Sequence, residues 1–228
     1  GKKSRMGRIL DGVAGFVWFT PIYVALVWRF YQHHDLEFSW LGISNTPENT
    51  LIATAVVFVL GLFSGFMGMG AQQRLADYYI QVHLFFLKGE KGSELDNSLR
   101  QQEVYDQMPA DAPFYERLFQ KSYIDYTRKQ EKVTPQFQRL LALLRQKYGS
   151  ADNMPQAARS KFHEQSLALM KWNGLLTFNF RTAFLFLFCL LDIPAGNFIF
   201  EFFAMSLLAM YINRRHEAFC RGIANELS

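Results

Sequence analysis

Four charged residues stand out inside or at the ends of long apolar stretches of this chain: Asp11, Arg29, Arg181 and Glu201. An unpaired charge within a bilayer is costly, so each of them is a candidate functional residue. Arg181 could bind an anion or pair with a carboxylate, and the sequence leaves both alternatives open. We expect Arg29 to snorkel towards the interface and Glu201 to reach the outer headgroups. Taken alone, Asp11 is explained by the attraction between a carboxylate and the positive end of a helix.

The apolar stretches that hold these residues lie towards the two ends of the chain. The mean hydropathy of −0.02 therefore averages apolar ends with a polar middle, residues 71–171. Residues 12–28, with apolar neighbours, and residues 49–73 carry no charge. Each is long enough to cross a bilayer as a helix, which takes about 20 residues. Gly61 and Gly65 in the second segment have the spacing of a close helix contact.

A third apolar block, residues 172–213, is too long for a single membrane helix. Residues that favour a turn interrupt its centre, namely Asp192, Pro194 and Gly196. We therefore divide the block into spans of about 172–191 and 197–213. The sequence thus predicts an all-α integral membrane bundle with four transmembrane helices. Its predicted parts are residues 1–70, an insert at 71–171, and residues 172–228.

Lysine and arginine predict the orientation of these spans. Residues 31–50 and the turn at 192–196 contain neither of them, whereas the N-terminal tip, the insert and the tail after residue 213 hold nearly all. Basic residues concentrate in cytoplasmic loops. We therefore expect both ends of the chain and the insert to be cytoplasmic, with the spans in the cytoplasmic membrane.

The insert is predicted to be helical. Residues 71–88 should leave the membrane and lie on its surface, with aromatic side chains at interface depth: Tyr78, Tyr79, Phe85 and Phe86. A helix should begin at Thr134-Pro135 and end near Gly149. Apolar residues follow one face of that helix, namely Phe137, Leu140, Leu141 and Leu144. One more helix is expected over residues 154–171.

Several kinds of site are disfavoured by the sequence. It contains no P-loop, dinucleotide fingerprint, GxSxG or HExxH motif. Cys189 and Cys220 suggest neither a disulfide framework nor a zinc site, and His83 and His163 show no metal-ligand spacing. Basic residues of the insert alternate with acidic ones, so we expect no nucleic-acid partner.

The N-terminal stretch carries a resemblance to a known family. Gly7-x3-Asp11 follows GKKS and precedes a membrane span. This arrangement resembles the second half of the CDP-alcohol phosphatidyltransferase signature, D-x2-D-G-x2-A-R-x8-9-G-x3-D-x3-D. The family has six membrane helices, so the four predicted spans would be its third to sixth. A chain that starts at Gly1, within the signature, is then expected to be a fragment of a longer protein or a divergent member of the family.

The resemblance implies a chemistry. Aspartates of the family hold two divalent cations, usually Mg²⁺ (or Mn²⁺), on the diphosphate of a CDP-linked lipid donor. The last aspartate deprotonates the alcohol acceptor, and CMP is released. Asp11 matches a metal ligand and Gly7 the glycine that allows close approach. The expected base position falls at Gly15, which has no side chain.

Substrate contacts and partners follow from the same resemblance. Basic residues of the tip, Lys3 and Arg8 together with Lys2 and Arg5, could hold substrate phosphates or anchor the chain to the membrane. Arg181 is a further candidate for substrate binding. A homodimer is expected, because members of the family commonly dimerise. The alternative is a non-catalytic helical membrane protein whose insert binds a partner or anionic lipid. A transporter is less attractive, because few charges lie at mid-membrane.

Overall fold

The computed structural model describes the backbone of residues 5–150 and 153–227, and their side chains except at positions 5–14, 16 and 67. It is about 85% helical, and the described residues contain no strand. The helices are α1 (Arg5–Gln32), α2 (Asp35–Leu41), α3 (Pro47–Leu62), α4 (Gly70–Lys88), α5 (Ser98–Asp106), α6 (Phe114–Lys132), α7 (Pro135–Tyr148), α8 (Gln156–Asn173), α9 (Phe178–Leu190), α10 (Gly196–Ile199) and α11 (Met205–Leu227). Short π-helical stretches, Phe63–Met69 and Phe200–Ala204, follow α3 and α10.

The chain divides into two compact units. We call the first the apolar unit, residues 10–73 and 175–208, and the second the polar unit, which is formed by the described residues of 1–9, 74–174 and 209–228.

Two helical stretches are long and apolar enough to cross a membrane, Pro47–Lys88 and Gly196–Leu227. Helices α8 and α9, with the turn between them, add a third if this bent pair is one span; the bend is 45°. The chain is therefore a helical membrane protein with two or three candidate spans among the described residues. The four-span arrangement stays a prediction.

The third predicted span is not a single straight helix. Residues 172–191 begin inside α8, pass a 3-10 turn at Gly174–Leu176 and continue as α9, which has 13 residues. At 1.5 Å per residue α9 is about 20 Å long, less than the roughly 30 Å hydrocarbon core of a bilayer. The turn predicted after it is confirmed, because α9 ends at Leu190 and Asp192 has a positive φ of 61°.

The apolar unit has a core and an apolar exterior. Ten buried residues form the core: Phe19, Tyr23, Leu26, Phe30, Phe38, Val57, Met69, Leu185, Ala195 and Phe198. Outward-facing residues include Trp18 and Leu51, which are 68% and 66% exposed. Exposed aromatic and aliphatic side chains on helices are expected where lipid rather than water surrounds them.

Gly61 and Gly65 lie at close contacts, as their spacing predicts. A Cβ at Gly61 would lie 3.3 Å from Cζ of Phe198. A Cβ at Gly65 would lie 3.5 Å from the ring of Tyr23. Aromatic rings therefore pack directly against the helix backbone at both positions.

The polar unit buries the aromatic residues that were expected at the membrane interface. Tyr78, Tyr79, Phe85 and Phe86 are at most 7% exposed, so they pack inside the protein rather than on an open surface, and their depth relative to a membrane stays a prediction. They face other helices instead, since Phe86 stacks on Phe162 with ring centroids 3.6 Å apart. An aromatic residue satisfies its apolar surface equally well in a protein core, which the sequence alone does not distinguish from an interface.

Helix α7 forms as predicted. Its four apolar residues, Phe137 to Leu144, are all buried, and Gly149 ends the helix with a φ of 74°. Thr134 precedes Pro135, but its hydroxyl donates to the carbonyl oxygen of Gln130 at 2.9 Å rather than capping α7. Helix α8 starts within two residues of the predicted position.

Helices α5 and α6 were not predicted. Asn97 caps α5 by accepting the backbone N–H groups of Leu99 and Arg100. The backbone N–H of Ser98 donates to Oε1 of Glu131 at 2.9 Å, which ties the start of α5 to α6.

Candidate functional site

The motif residues lie on α1, whose residues from position 10 onwards belong to the apolar unit. Lys3 is outside the described residues, and the side chains of Gly7, Arg8 and Asp11 are outside the described part of α1. Residues four apart are neighbours on a helix surface. Positions 7, 11 and 15 therefore follow one another along one face of α1.

Gly15 is buried within the apolar unit. A Cβ at this position would lie 3.8 Å from Oε1 of Gln73, an ordinary van der Waals distance. The amide nitrogen of Gln73 is buried and has no hydrogen-bond partner among the described residues. The position that lacks a carboxylate therefore faces a glutamine amide, which no motif of the sequence marks.

A buried ion pair lies deeper in the same unit. Nη1 of Arg181 on α9 is 3.3 Å from Oε1 of Glu201, and both side chains are fully buried. Nη2 of Arg181 donates to Oε1 of Gln72 at 2.5 Å. Of the two alternatives for Arg181, the structure shows the pairing with a carboxylate. Anion binding by Arg181 stays a prediction.

Glu201 receives hydrogen bonds from two hydroxyl groups. The Oη of Tyr23 on α1 donates to Oε2, and Oγ of Ser64 donates to the same oxygen at 2.5 Å. Glu201 therefore does not reach the headgroups, and that expectation was wrong. One arginine and two hydroxyl donors stabilise the buried carboxylate, and these partners offset the cost of burying its charge.

Gln72 completes the cluster. Its Nε2 donates to the carbonyl oxygen of Glu201 at 3.1 Å and to Oγ of Ser206 at 2.9 Å. We call the set the Arg181 network; its members are Tyr23, Ser64, Gln72, Arg181, Glu201 and Ser206. The network joins α1, α4, α9, α11 and both π-helical stretches inside one apolar unit.

Two members of the network lie on the π-helical stretches. Ser64 lies in Phe63–Met69 and Glu201 in Phe200–Ala204. A π-helical turn changes the direction of the side chains that follow it and is frequent at functional sites. Both turns therefore contribute to the convergence of polar groups, and no feature of a single sequence marks them.

A second charge cluster lies around Arg29. Its guanidinium pairs with the carboxylate of Asp192 and lies 3.7 Å from Oε1 of Glu37. Its Nη1 also donates to the carbonyl oxygen of His33 at 3.3 Å. Burial raises the pKa of the Glu37 carboxyl, and the charge of Arg29 opposes that rise. Arg29 is thus held by protein groups in addition to any contact with lipid.

An apolar groove lies beside the network. It is lined by residues of α1, α3 and the first π-helical stretch, among them Phe19, Tyr23, Val27, Phe58, Leu62 and Phe66. Tyr23 contributes its ring to the groove and its hydroxyl to the Arg181 network. The apolar unit therefore places a polar cluster next to a surface suited to a hydrocarbon chain.

Chemically, the network pairs one positive with one negative charge, and both side chains are fully buried. Such an arrangement fixes helices relative to one another and orients Gln72 and its neighbours. Its two serine hydroxyls are hydrogen-bonded, Ser64 to the Glu201 carboxylate and Ser206 to the Gln72 amide. Comparisons of the chain with models of protein families, with curated proteins and with solved structures find no match.

Proposed function

We propose that this chain belongs to a membrane transferase that moves a phospho-alcohol group from a CDP-linked lipid donor to a hydroxyl acceptor. The observation that carries the proposal is Gly7-x3-Asp11 on a helix that continues without a break from Arg5 to Gln32 into the apolar unit. An unbroken helix supports a role for Asp11 at the point where the charged headgroup of the donor would meet its lipid tail.

The reaction is a displacement at phosphorus. The acceptor oxygen forms a bond to the phosphorus that carries the donor alcohol, and the bond from that phosphorus to the CMP phosphate breaks. The acceptor proton passes to water, and CMP departs with the electrons of the broken bond. Donors aimed at the developing negative charge accelerate such a step.

The chain's own residues have distinct roles in this proposal. Asp11 corresponds to a metal ligand of the family, and Lys3 and Arg8 hold the donor phosphates by charge. Position 15 offers no carboxylate, so the Gln73 amide is the polar group that meets the acceptor there. The Arg181 network stabilises the helices that carry these residues, and the neighbouring groove takes a hydrocarbon tail.

The expected metal ions do not fit the described residues as they stand. Hard cations such as Mg²⁺ need several oxygen ligands, whereas the motif in this sequence offers Asp11 alone. Among the described residues, the carboxylate of Glu201 is engaged by Arg181 and Tyr23. No step of the proposal is therefore routed through a metal.

The test measures CMP release by the protein, expressed from its full reading frame, in membranes supplied with CDP-diacylglycerol and a panel of alcohols. Asp11→Asn should lower the rate by about 100-fold or more. Glu48→Gln, a carboxamide change on an exposed residue of α3, is the matched control and should leave the rate unchanged. Equal rates for Asp11→Asn and the parent protein would overturn the proposal.

The alternative function is non-catalytic binding of anionic lipid through the insert. It is favoured by exposed apolar residues around the start of α6, where Phe114 and Tyr115 are 79% and 55% exposed. Binding of a soluble phosphatidylserine to the purified full chain in detergent, with soluble phosphatidylcholine as the comparison, would detect it. Absence of CMP release together with binding that is lost in Phe114→Ser would favour this alternative.

A further inference from the structure

Three potential metal ligands meet on α11 within the polar unit. His216, Glu217 and Cys220 place one ligand atom each within 4.8 Å of one another. The sulfur of Cys220 is 3.7 Å from Nδ1 of His216, and Oε1 of Glu217 is 3.6 Å from the same nitrogen. His216 and Cys220 are four residues apart, so they lie on the same face of the helix.

These separations are close to those of a tetrahedral zinc site. Zinc lies about 2.3 Å from sulfur and about 2.0–2.1 Å from nitrogen or oxygen, so tetrahedral geometry separates sulfur from nitrogen by about 3.6 Å and nitrogen from oxygen by about 3.4 Å. The observed distances of 3.7 and 3.6 Å differ from these by a few tenths of an ångström at most. The third pair, the sulfur and the carboxylate oxygen, lies within 4.8 Å, whereas tetrahedral zinc would separate the two atoms by about 3.6 Å. Side-chain movements of about 1 Å would therefore bring all three atoms onto one ion.

The imidazole of His216 has poor partners in its buried position. The side chain is 2% exposed and packs on the ring of Tyr79 at a centroid distance of 4.3 Å. Among the described residues, its nitrogens face only the thiol sulfur and the Glu217 carboxylate, at 3.6 Å or more. Buried polar groups normally make a hydrogen bond of about 3 Å. A bound cation would give Nδ1 a strong partner.

The carboxylate of Glu217 is already oriented. Its Oε2 accepts the backbone N–H of Gln136 at 2.6 Å, and its Oε1 accepts that of Phe137 at 3.3 Å. Both donors belong to the first turn of α7. Hydrogen bonds of this kind fix ligating carboxylates in metal sites, and each oxygen keeps a further lone pair for an ion.

We propose that His216, Glu217 and Cys220 bind one Zn²⁺ ion. The ligand set combines an imidazole nitrogen, a thiolate sulfur and a carboxylate oxygen, which suits Zn²⁺ rather than the hard cations Mg²⁺ or Ca²⁺. The ion would link α11 to the start of α7 through Glu217 and strengthen the polar unit. This proposal is independent of the transferase chemistry.

The probe is Co²⁺, whose tetrahedral thiolate complexes absorb visibly. The purified full chain in detergent, reduced with a thiol-free reductant, is titrated with Co²⁺ and then with Zn²⁺. We expect one equivalent of Co²⁺ to produce a sulfur-to-cobalt charge-transfer band, and Zn²⁺ to abolish it. Mg²⁺ in excess should leave the band intact.

Two serine variants locate the site. Cys220→Ser should remove the charge-transfer band and weaken Zn²⁺ binding by roughly 100-fold or more. Cys189→Ser is the matched control, because Cys189 is the exposed cysteine in the apolar unit, and it should retain the band. Far-ultraviolet circular dichroism checks that each variant remains helical.

Thermal unfolding of the parent chain tests zinc binding without the need for a variant. Zn²⁺ should raise the unfolding temperature of the parent chain, since a ligand of the folded state stabilises it. The proposal is overturned if the folded parent chain shows no cobalt–thiolate band, or if the band persists in Cys220→Ser. Loss of the band in Cys189→Ser would overturn it as well.

Discussion

Nη1 of Arg181 lies 3.3 Å from Oε1 of Glu201, and neither side chain has any exposed surface. The other oxygen of Glu201 accepts hydrogen bonds from Tyr23 and Ser64. An ion pair with these neighbours is sensitive to the loss of either partner, because the charge that is left behind cannot reach water.

Loss of one charge of this pair should destabilise the chain strongly. Arg181→Met leaves Glu201 buried without its cation and should lower the free energy of unfolding by about 3–5 kcal/mol. The double variant Arg181→Met/Glu201→Gln should be clearly more stable than Arg181→Met, because no unpaired charge is left. Reversible unfolding in mixed detergent micelles measures both quantities.

A surface pair provides the control for this cycle. Lys129 and Asp125 pair at 2.5 Å on α6, with side chains 52% and 57% exposed. Lys129→Met should change the free energy of unfolding by less than about 1 kcal/mol. Strictly additive effects of Arg181→Met and Glu201→Gln would show that the two charges do not interact.

The hydroxyl of Tyr23 should contribute measurable stability. Tyr23→Phe keeps the ring in the core but removes a donor to the Glu201 carboxylate. A hydrogen bond to a charged group contributes about 1.5–3 kcal/mol, and we expect a loss of that order. Tyr31→Phe is the matched control, since Tyr31 is 46% exposed on the same helix, and it should change stability by less than about 0.5 kcal/mol. A Tyr23 effect as small as that of Tyr31 would contradict the assignment.

Glu37 should make stability depend on pH. Burial raises the pKa of its carboxyl in the folded chain above the unfolded value. The folded state then binds the proton more tightly, so this group favours folding at low pH, and the contribution is lost as pH rises from the unfolded pKa through the folded one. The difference in the free energy of unfolding between the parent chain and Glu37→Gln, measured at each pH, isolates the contribution of the Glu37 carboxyl. A difference that does not vary with pH would contradict the direction of the shift.

Gly61 should tolerate no large side chain. A Cβ there would already lie 3.3 Å from the ring of Phe198, so Gly61→Leu overpacks the helix contact. Overpacking should lower stability by about 1–3 kcal/mol. Gly222→Leu is the matched control, because no atom lies within 4 Å of a Cβ at Gly222, and replacing glycine within a helix should stabilise by about 0.5–1 kcal/mol. Equal effects of the two changes would mean that the contact at Gly61 is loose.

Periodicity and composition predicted the elements whose signals are local. Helix α7 needed only Thr134-Pro135, four apolar residues on one face and Gly149, all of which lie within one short segment. The turn at Asp192 could also be predicted, because an acidic residue, a proline and a glycine interrupt an apolar block. Helix α5 was missed because its polar sequence carries weak periodicity, and the contact between Ser98 and Glu131 stabilises it. Helix α6 does carry an amphipathic pattern, with Tyr123, Ile124 and Thr127 buried, so its signal was present in the sequence.

The sequence by itself determined the class of the protein: helical, with apolar stretches long enough for a membrane and charges rare enough within them to be conspicuous. Tertiary structure alone decided which charges meet. Arg181 and Glu201 are 20 residues apart in sequence, Tyr23 and Glu201 178 apart, and helix packing with two π-helical turns brings them together. The burial of Tyr78 and Tyr79 in a protein core was likewise decided by packing, because an amphipathic aromatic residue is satisfied in either setting.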